Sequence, residues 1–73
     1  MKTRLAAERI DQQVDRAGCA PLMATLAASA EVVSITPSGA SSATVVKANG
    51  GTFSGGLAQS TCADRNTLAF TFR

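Results

Sequence analysis

Histidine is absent from this 73-residue sequence, and so are tryptophan and tyrosine. Without histidine, Ser-His-Asp catalysis, Cys-His catalysis and two-His metal sites are excluded. Only two cysteines are present, which is too few for a structural zinc site within one chain. The sequence therefore predicts a protein that is not an enzyme and that holds no metal or other cofactor.

Charge is also scarce. Charged residues make up 16% of the chain and the net charge is +2, whereas roughly 25% of an average soluble protein is charged. Proteins that bind nucleic acid normally carry a strongly basic face. The three aromatic residues are all Phe, and they fall on positions predicted to be buried, where bases could not stack on them. We therefore expect no sequence-specific binding to nucleic acid.

Long apolar segments are missing as well. Charged residues recur up to Arg16, so no apolar region follows the basic start and we expect no signal peptide. The uncharged run from Ala17 to Ala30 is too short and too polar to cross a bilayer. We expect a cytoplasmic protein that does not bind membranes. In that reducing setting Cys19 and Cys62 are expected to be buried free thiols, with one disulfide as the alternative.

The first part of the chain is predicted to be helical. Residues 3–17 are good helix formers, with Thr3 as the N-cap and Gly18 as the C-terminal cap. A second, short helix is predicted over CAPLMATLAASA, with Pro21 at its first helical position. The apolar face of the first helix, which is expected to pack on a sheet, holds Ala6, Ala7, Ile10, Val14 and Ala17.

The rest of the chain, residues 31–73, is predicted to form antiparallel strands. EVVSITP and SSATVVKA alternate between two faces, as does the terminal TLAFTFR. In TFSGGLAQSTCA the paired glycines predict a broken or bent strand. The side chains expected to point inward from the last strand are Leu68, Phe70 and Phe72. Residues 1–73 are thus predicted to be a single α+β domain, in which the helical part, 1–30, covers one face of an antiparallel sheet.

Two weaker motifs favour structural interpretations. Asp11 and Asp15 lie four residues apart on the predicted helix and could form an acid–base pair or bind a cation. A solvated face balanced by Arg4 and Arg16 is the favoured interpretation. ANGGTFSGG matches neither GxGxxG nor the P-loop pattern, so a turn and a bent strand are favoured over a phosphate site.

The first predicted helix offers a candidate interaction surface. On a helical wheel Lys2, Arg9 and Arg16 form a basic stripe at intervals of seven residues, and Leu5 lies with them. An apolar centre with a charged rim is typical of protein interfaces. We predict that Leu5 enters a pocket of a partner protein while the three basic residues meet its carboxylates. The alternatives are that Leu5 is an exposed residue without a function, or that it packs on the chain's own loops.

A sheet edge is the second candidate surface. The predicted strands are short and lightly charged, and only Lys47 and Arg73 would discourage pairing with another chain. Such an edge can accept an extended segment of another protein as an added strand. Ordinary solvent exposure of the edge is the alternative.

The chain length, the opening MKTRLAAER and the lack of a catalytic or metal motif resemble the small transcription regulators with which lytic phages bind host RNA polymerase. This resemblance implies binding near the RNA exit region, displacement of σ factor from promoters and antitermination. We therefore predict a monomeric, non-catalytic regulator in the host cytoplasm that acts by occlusion. The alternatives are a phage head-tail or tail-completion component and an anti-defence inhibitor of a nuclease complex.

Overall fold

The computed structural model describes residues 7–72, which form four strands and two helices. In chain order these are β1 (Ala7–Asp15), α1 (Arg16–Ala27), β2 (Val32–Pro37), β3 (Thr44–Lys47), α2 (Gly55–Thr61) and β4 (Arg65–Phe72). The sheet order is β1-β4-β2-β3, and all neighbouring strands are antiparallel. The α+β class with an antiparallel sheet is thereby confirmed. Neither helix is long and apolar enough to cross a membrane.

The core lies between the helices and one face of the sheet, which we call the inner face. Val33 and Ile35 of β2 pair with Phe70 and Leu68 of β4, and all four side chains are fully buried. Residues opposite one another in antiparallel strands point to the same face, so the predicted inward direction of Leu68 and Phe70 is confirmed. Each such side chain stabilises the fold by about 1.5–3 kcal/mol. Helix α1 covers this face with Cys19, Met23 and Ala27.

Strand β1 replaces most of the predicted first helix, so the prediction of a helix over residues 3–17 is wrong for residues 7–15. Helix propensities of ordinary residues differ by no more than about 0.7 kcal/mol each. Strand β4 lies inside the sheet, and β1 provides the hydrogen-bond partners for the backbone groups on one of its two sides. Without β1 those groups of β4 would lack partners within the protein. The sheet therefore decides the conformation of this segment.

The boundary between β1 and α1 explains why the sequence pointed to a helix end. Gly18 is not a C-terminal cap. It is the third residue of α1, and its N–H donates to Asp15 Oδ1 at 2.8 Å. Asp15 is therefore the N-cap of α1. The glycine expected to end one helix thus lies in the first turn of the next one.

Helix α1 also begins earlier than predicted. It begins at Arg16, five residues before Pro21, so Pro21 lies inside the helix and not at its first position. Because proline has no N–H, the carbonyl of Ala17 cannot receive the usual bond from four residues ahead. Pro21 is the sixth residue of α1, and the helix forms there without this one hydrogen bond.

The segment predicted as a broken strand is helix α2. Ser54 is its N-cap, and the Ser54 hydroxyl accepts from the Leu57 N–H at 3.4 Å. Gly55 and Gly56 are the first two helical residues, whose N–H groups need no partner within the helix. Ala58 is fully buried against the core. The strand prediction for this segment, and with it the assignment of all of residues 31–73 to strands, is wrong.

A disulfide joins the two helices. Cys19 lies in α1 and Cys62 caps the C-terminus of α2, and their Cα atoms are 6.1 Å apart although they are separated by 43 residues in sequence. The prediction of two free thiols is wrong. The helices lie side by side on the inner face, and this places the two sulfur atoms within bonding distance. Such a bond is typical of proteins in oxidising compartments.

We expect the disulfide to supply a large part of the stability. Closing a loop of this size restricts the unfolded chain, and removing such a bond costs about 2–4 kcal/mol. Urea unfolding should show this loss for the double variant Cys19→Ser/Cys62→Ser, and the wild type unfolded with a reductant should match it. Mass spectrometry that found two alkylated cysteines in the unreduced protein would contradict the bond.

The N-cap of α1 gives a second prediction. Asp15→Ala should lower the free energy of unfolding by about 1 kcal/mol, because the first turn of α1 loses a charged acceptor. The control is Asp64→Ala, whose exposed carboxylate pairs with Arg16 and should contribute about 0.5 kcal/mol or less. Equal losses in the two variants, measured by urea unfolding, would rule out this role for Asp15.

Candidate interaction surface

The structure does not assemble the predicted basic stripe. Lys2 and Leu5 lie outside the described residues, Arg9 lies in β1, and Arg16 is the first residue of α1. Seven residues of extended chain span roughly 20 Å, whereas seven residues of helix span about 10 Å. Arg9 and Arg16 are therefore far apart along the strand, whereas in a helix they would lie on the same face two turns apart.

Both arginines instead have acidic partners. Arg9 Nε lies 3.0 Å from Asp11 Oδ2, and Arg16 Nη2 lies 3.1 Å from Asp64 Oδ1. The second pair is mostly exposed, so it contributes little to stability. Asp11 and Asp15 do not act as a pair, because one binds Arg9 and the other caps α1.

Strand β1 forms one edge of the sheet. Its only strand partner among residues 7–72 is β4, and Ala7–Asp11 pairs in unbroken register with residues 68–72. Five residues of strand offer about 17 Å of backbone edge. Ile10 lies opposite Ala69 and is 55% exposed, so its predicted place on a buried helix face is wrong.

The other edge, β3, is shorter and better protected. Lys47 was expected to be an exposed charge that discourages pairing, but it is half-buried. Its Nζ donates to Ala27 O at 2.7 Å and to Ala30 O at 2.6 Å. The last carbonyls of a helix have no partner within it and attract a cation. Lys47 thus serves the end of α1, and β1 is the longer edge open to pairing.

The sheet has an outer face, which we define as the side opposite the helices. Ile10 and Val45 are the large apolar residues on it that are more than half exposed, at 55% and 51%. Between Glu8 near one end and Arg65 at the other, the face is built from small or β-branched uncharged side chains. By their registers, these are Val32, Ser34, Thr36, Thr67, Ala69 and Thr71.

A β-bulge interrupts β1 after Asp11. Gln12 and Gln13 together face Thr67 of β4, and Gln13 has a φ of 59°, in the left-handed region. Beyond the bulge the register resumes with Val14 opposite Asn66. A bulge of this kind bends a strand and redirects its side chains.

Asn66 fixes the chain beside the bulge. Its side chain is almost fully buried, and its Nδ2 donates to Val14 O at 3.0 Å and to Ala63 O at 2.9 Å. Its Oδ1 accepts from the Ala63 N–H at 2.8 Å. No local sequence pattern indicates this role of Asn66, because its partner Val14 is 52 residues away.

A polar cleft of about 260 Å³ lies next to the bulge. Its walls come from three adjacent strands and from the turn at residues 37–40. The polar side chains that line it are Gln13, Thr36, Ser38, Arg65 and Thr67, above the buried Asn66. No sequence pattern indicates this cleft, because its lining residues come together only through the sheet.

Within the described part of the chain, no group of three or more His, Cys, Asp or Glu side chains could hold a metal ion. Comparisons with protein-family models, with curated proteins and with solved structures find no match to this chain. The function must therefore be argued from the surfaces described above.

We expect Asn66→Ala to loosen β1 and destabilise the fold. The substitution leaves buried backbone groups of Val14 and Ala63 without partners, and each such group costs about 1–3 kcal/mol. The control is the neighbour Thr67→Ala, whose hydroxyl makes no hydrogen bond within residues 7–72 and which should cost about 0.5 kcal/mol or less. Urea unfolding measures both, and similar losses would contradict the anchoring role of Asn66.

Proposed function

We propose that this protein is a non-catalytic binding module that recognises another protein by accepting an extended segment along β1. The observation that carries the proposal is the outward edge of Ala7–Asp11, which has no strand partner among the described residues and holds the exposed Ile10. In strand addition, main-chain hydrogen bonds supply affinity and alternate side chains supply specificity.

The composition of this edge decides what can pair with it. Natural edge strands are commonly blunted by charged side chains, lysine above all, by proline or by a bulge. Ala7–Asp11 contains neither lysine nor proline, and the bulge begins only after it, but Glu8, Arg9 and Asp11 are charged. Arg9 and Asp11 pair with one another, so Glu8 is the charge that an added segment has to match. The bulge therefore limits the added segment to about five paired residues, close to the usual length of a strand.

The acidic groups near this edge support binding over catalysis. Asp11 pairs with Arg9, Asp15 caps α1, and Asp64 pairs with Arg16. Each of these three carboxylates thus has a structural partner, whereas Glu8, opposite Thr71, is exposed and has none within residues 7–72. A general acid or base needs a carboxyl group that can reach a substrate and exchange a proton.

Host RNA polymerase, which the resemblance to phage regulators implies as the partner, stays a prediction, as does the cytoplasmic location. The disulfide does not favour a cytoplasmic location, because the bacterial cytoplasm keeps thiols reduced. A protein partner in an oxidising compartment fits the disulfide better than a cytoplasmic polymerase does.

A structural role in an assembly of identical subunits is the second candidate. The outer face favours it, because between Glu8 and Arg65 uncharged side chains span all four strands, and two of them, Ile10 and Val45, are more than half exposed. Such a face can pack on the same face of another copy. Sedimentation velocity separates the two candidates, since a binding module that meets a different protein stays monomeric as its concentration rises.

We expect Ile10→Lys to abolish partner binding, because a lysine beside the edge opposes strand addition. The matched control is Val45→Lys, which places the same charge on the same face at the opposite edge and should bind normally. Immobilised protein would be exposed to a bacterial cytoplasmic extract and to a periplasmic extract, and hydrogen exchange would then be measured on the purified complex. We expect slower exchange at the amides of residues 7–11.

Three outcomes would contradict the proposal. Binding of the same partner by wild type and Ile10→Lys would exclude the edge. Protection confined to β3 or to a helix would place the interface elsewhere. Concentration-dependent self-association without a foreign partner would favour the structural role.

A further inference from the structure

We propose that the polar cleft beside the bulge binds the carboxylate of an acidic residue in a protein partner, with the Arg65 guanidinium as the cationic contact. The identity of the partner as a protein rests on the proposed function. The carboxylate site itself rests on the cleft alone.

Arg65 is available for a ligand. Two carboxylates lie near it, since Asp64 precedes it in sequence and Asp15 faces it across the β1–β4 register. Both are already engaged, because Asp64 binds Arg16 at 3.1 Å and Asp15 accepts from the Gly18 N–H at 2.8 Å. The guanidinium of Arg65 makes one long bond, 3.3 Å, to Asp64 O. No ion pair of residues 7–72 includes it.

The rest of the lining supplies hydrogen-bond donors. Thr36 and Thr67 face one another across β2 and β4, and Gln13 shares the bulge that faces Thr67. The Ser38 N–H donates to Arg65 O at 2.8 Å, which holds the turn against β4. The side chains of Gln13, Thr36, Ser38 and Thr67 make no hydrogen bond within the described residues, so each has capacity for a ligand.

The backbone conformation of Gln13 is a further observation that supports a binding site in the cleft. A φ of 59° is disfavoured for a residue with a side chain, and bulges are common where a strand redirects side chains into a site. Here the extra residue places the Gln13 amide on the wall of the cleft.

The charge and position of the cleft select the ligand. One guanidinium with neutral donors matches a single carboxylate, which arginine holds with two parallel bonds. The cleft lies where the straight edge of β1 ends, so a segment that pairs with Ala7–Asp11 ends beside it. By strand spacings Arg65 lies roughly 14 Å from the residue that would pair with Asp11, so the acidic residue that reaches it lies a few positions beyond the paired part of the segment.

The experiment is an NMR titration of the ¹⁵N-labelled full chain with N-acetylaspartate N-methylamide, and with the neutral asparagine analogue as the control ligand. We expect saturable shifts at the amides of Gln13, Ser38 and Thr67. The neutral analogue should bind more weakly than the aspartate ligand, by up to about fivefold. Arg65→Gln should weaken the binding of the aspartate ligand to the same extent. Arg9→Gln is the matched control, since it removes the same charge on the inner side of β1, leaves the Asp64–Arg16 pair intact and should leave the affinity unchanged.

Several results would overturn the site. These are equal binding of the two ligands, equal affinity of Arg65→Gln and the wild type, or a loss in Arg9→Gln as large as in Arg65→Gln. A glucuronate ion that bound about tenfold more tightly than the aspartate ligand would overturn the assignment to a protein partner. Ile10→Lys should still bind the aspartate ligand. Loss of partner binding at the β1 edge and loss of carboxylate binding in the cleft can therefore be measured separately.

Discussion

Strand β4 has a paired neighbour on each side, and the rest of the described structure depends on this pairing. On one side it binds β1 and on the other β2, so its inward residues Leu68 and Phe70 lie in the middle of the core. The first and last described strands are adjacent although most of the chain separates them. These contacts between distant parts of the sequence therefore decide which segments become strands, and helix propensity in residues 7–15 is overridden.

The disulfide complements this pairing on the other side of the core. A domain of this size buries a small core, which leaves a narrow margin over the entropy of ordering the chain. Cys19 and Cys62 join the two helices that cover the inner face, so the bond keeps the cover in place above Val33 and Phe70. The stability that we expect from this bond lasts only where the surroundings do not reduce it.

The sequence predicts the strands whose own side chains alternate, and it fails where a partner far along the chain decides. Strands β2, β3 and β4 follow from local alternation of apolar and polar residues. Nothing local distinguishes AERIDQQVD from a helix, and the glycines at the start of α2 suit a bent strand as well as a helix terminus. The pairing of Cys19 with Cys62 needs the two helices side by side. The sequence indicates a sheet edge as a surface but not which strand forms it, and it gives no sign of the cleft, because both depend on where β1 lies in the sheet.

Ile10 and Val14 show how one inserted residue shapes the candidate surfaces. At a spacing of four they would share a face on a helix and also on a regular strand. The bulge at Gln12 and Gln13 adds a residue between them and reverses the alternation. Ile10 then faces Ala69 on the outer face, whereas Val14 faces Asn66 and packs against the core. The bulge that exposes Ile10 beside the open edge also places Gln13 in the cleft, so the two surfaces share one structural cause.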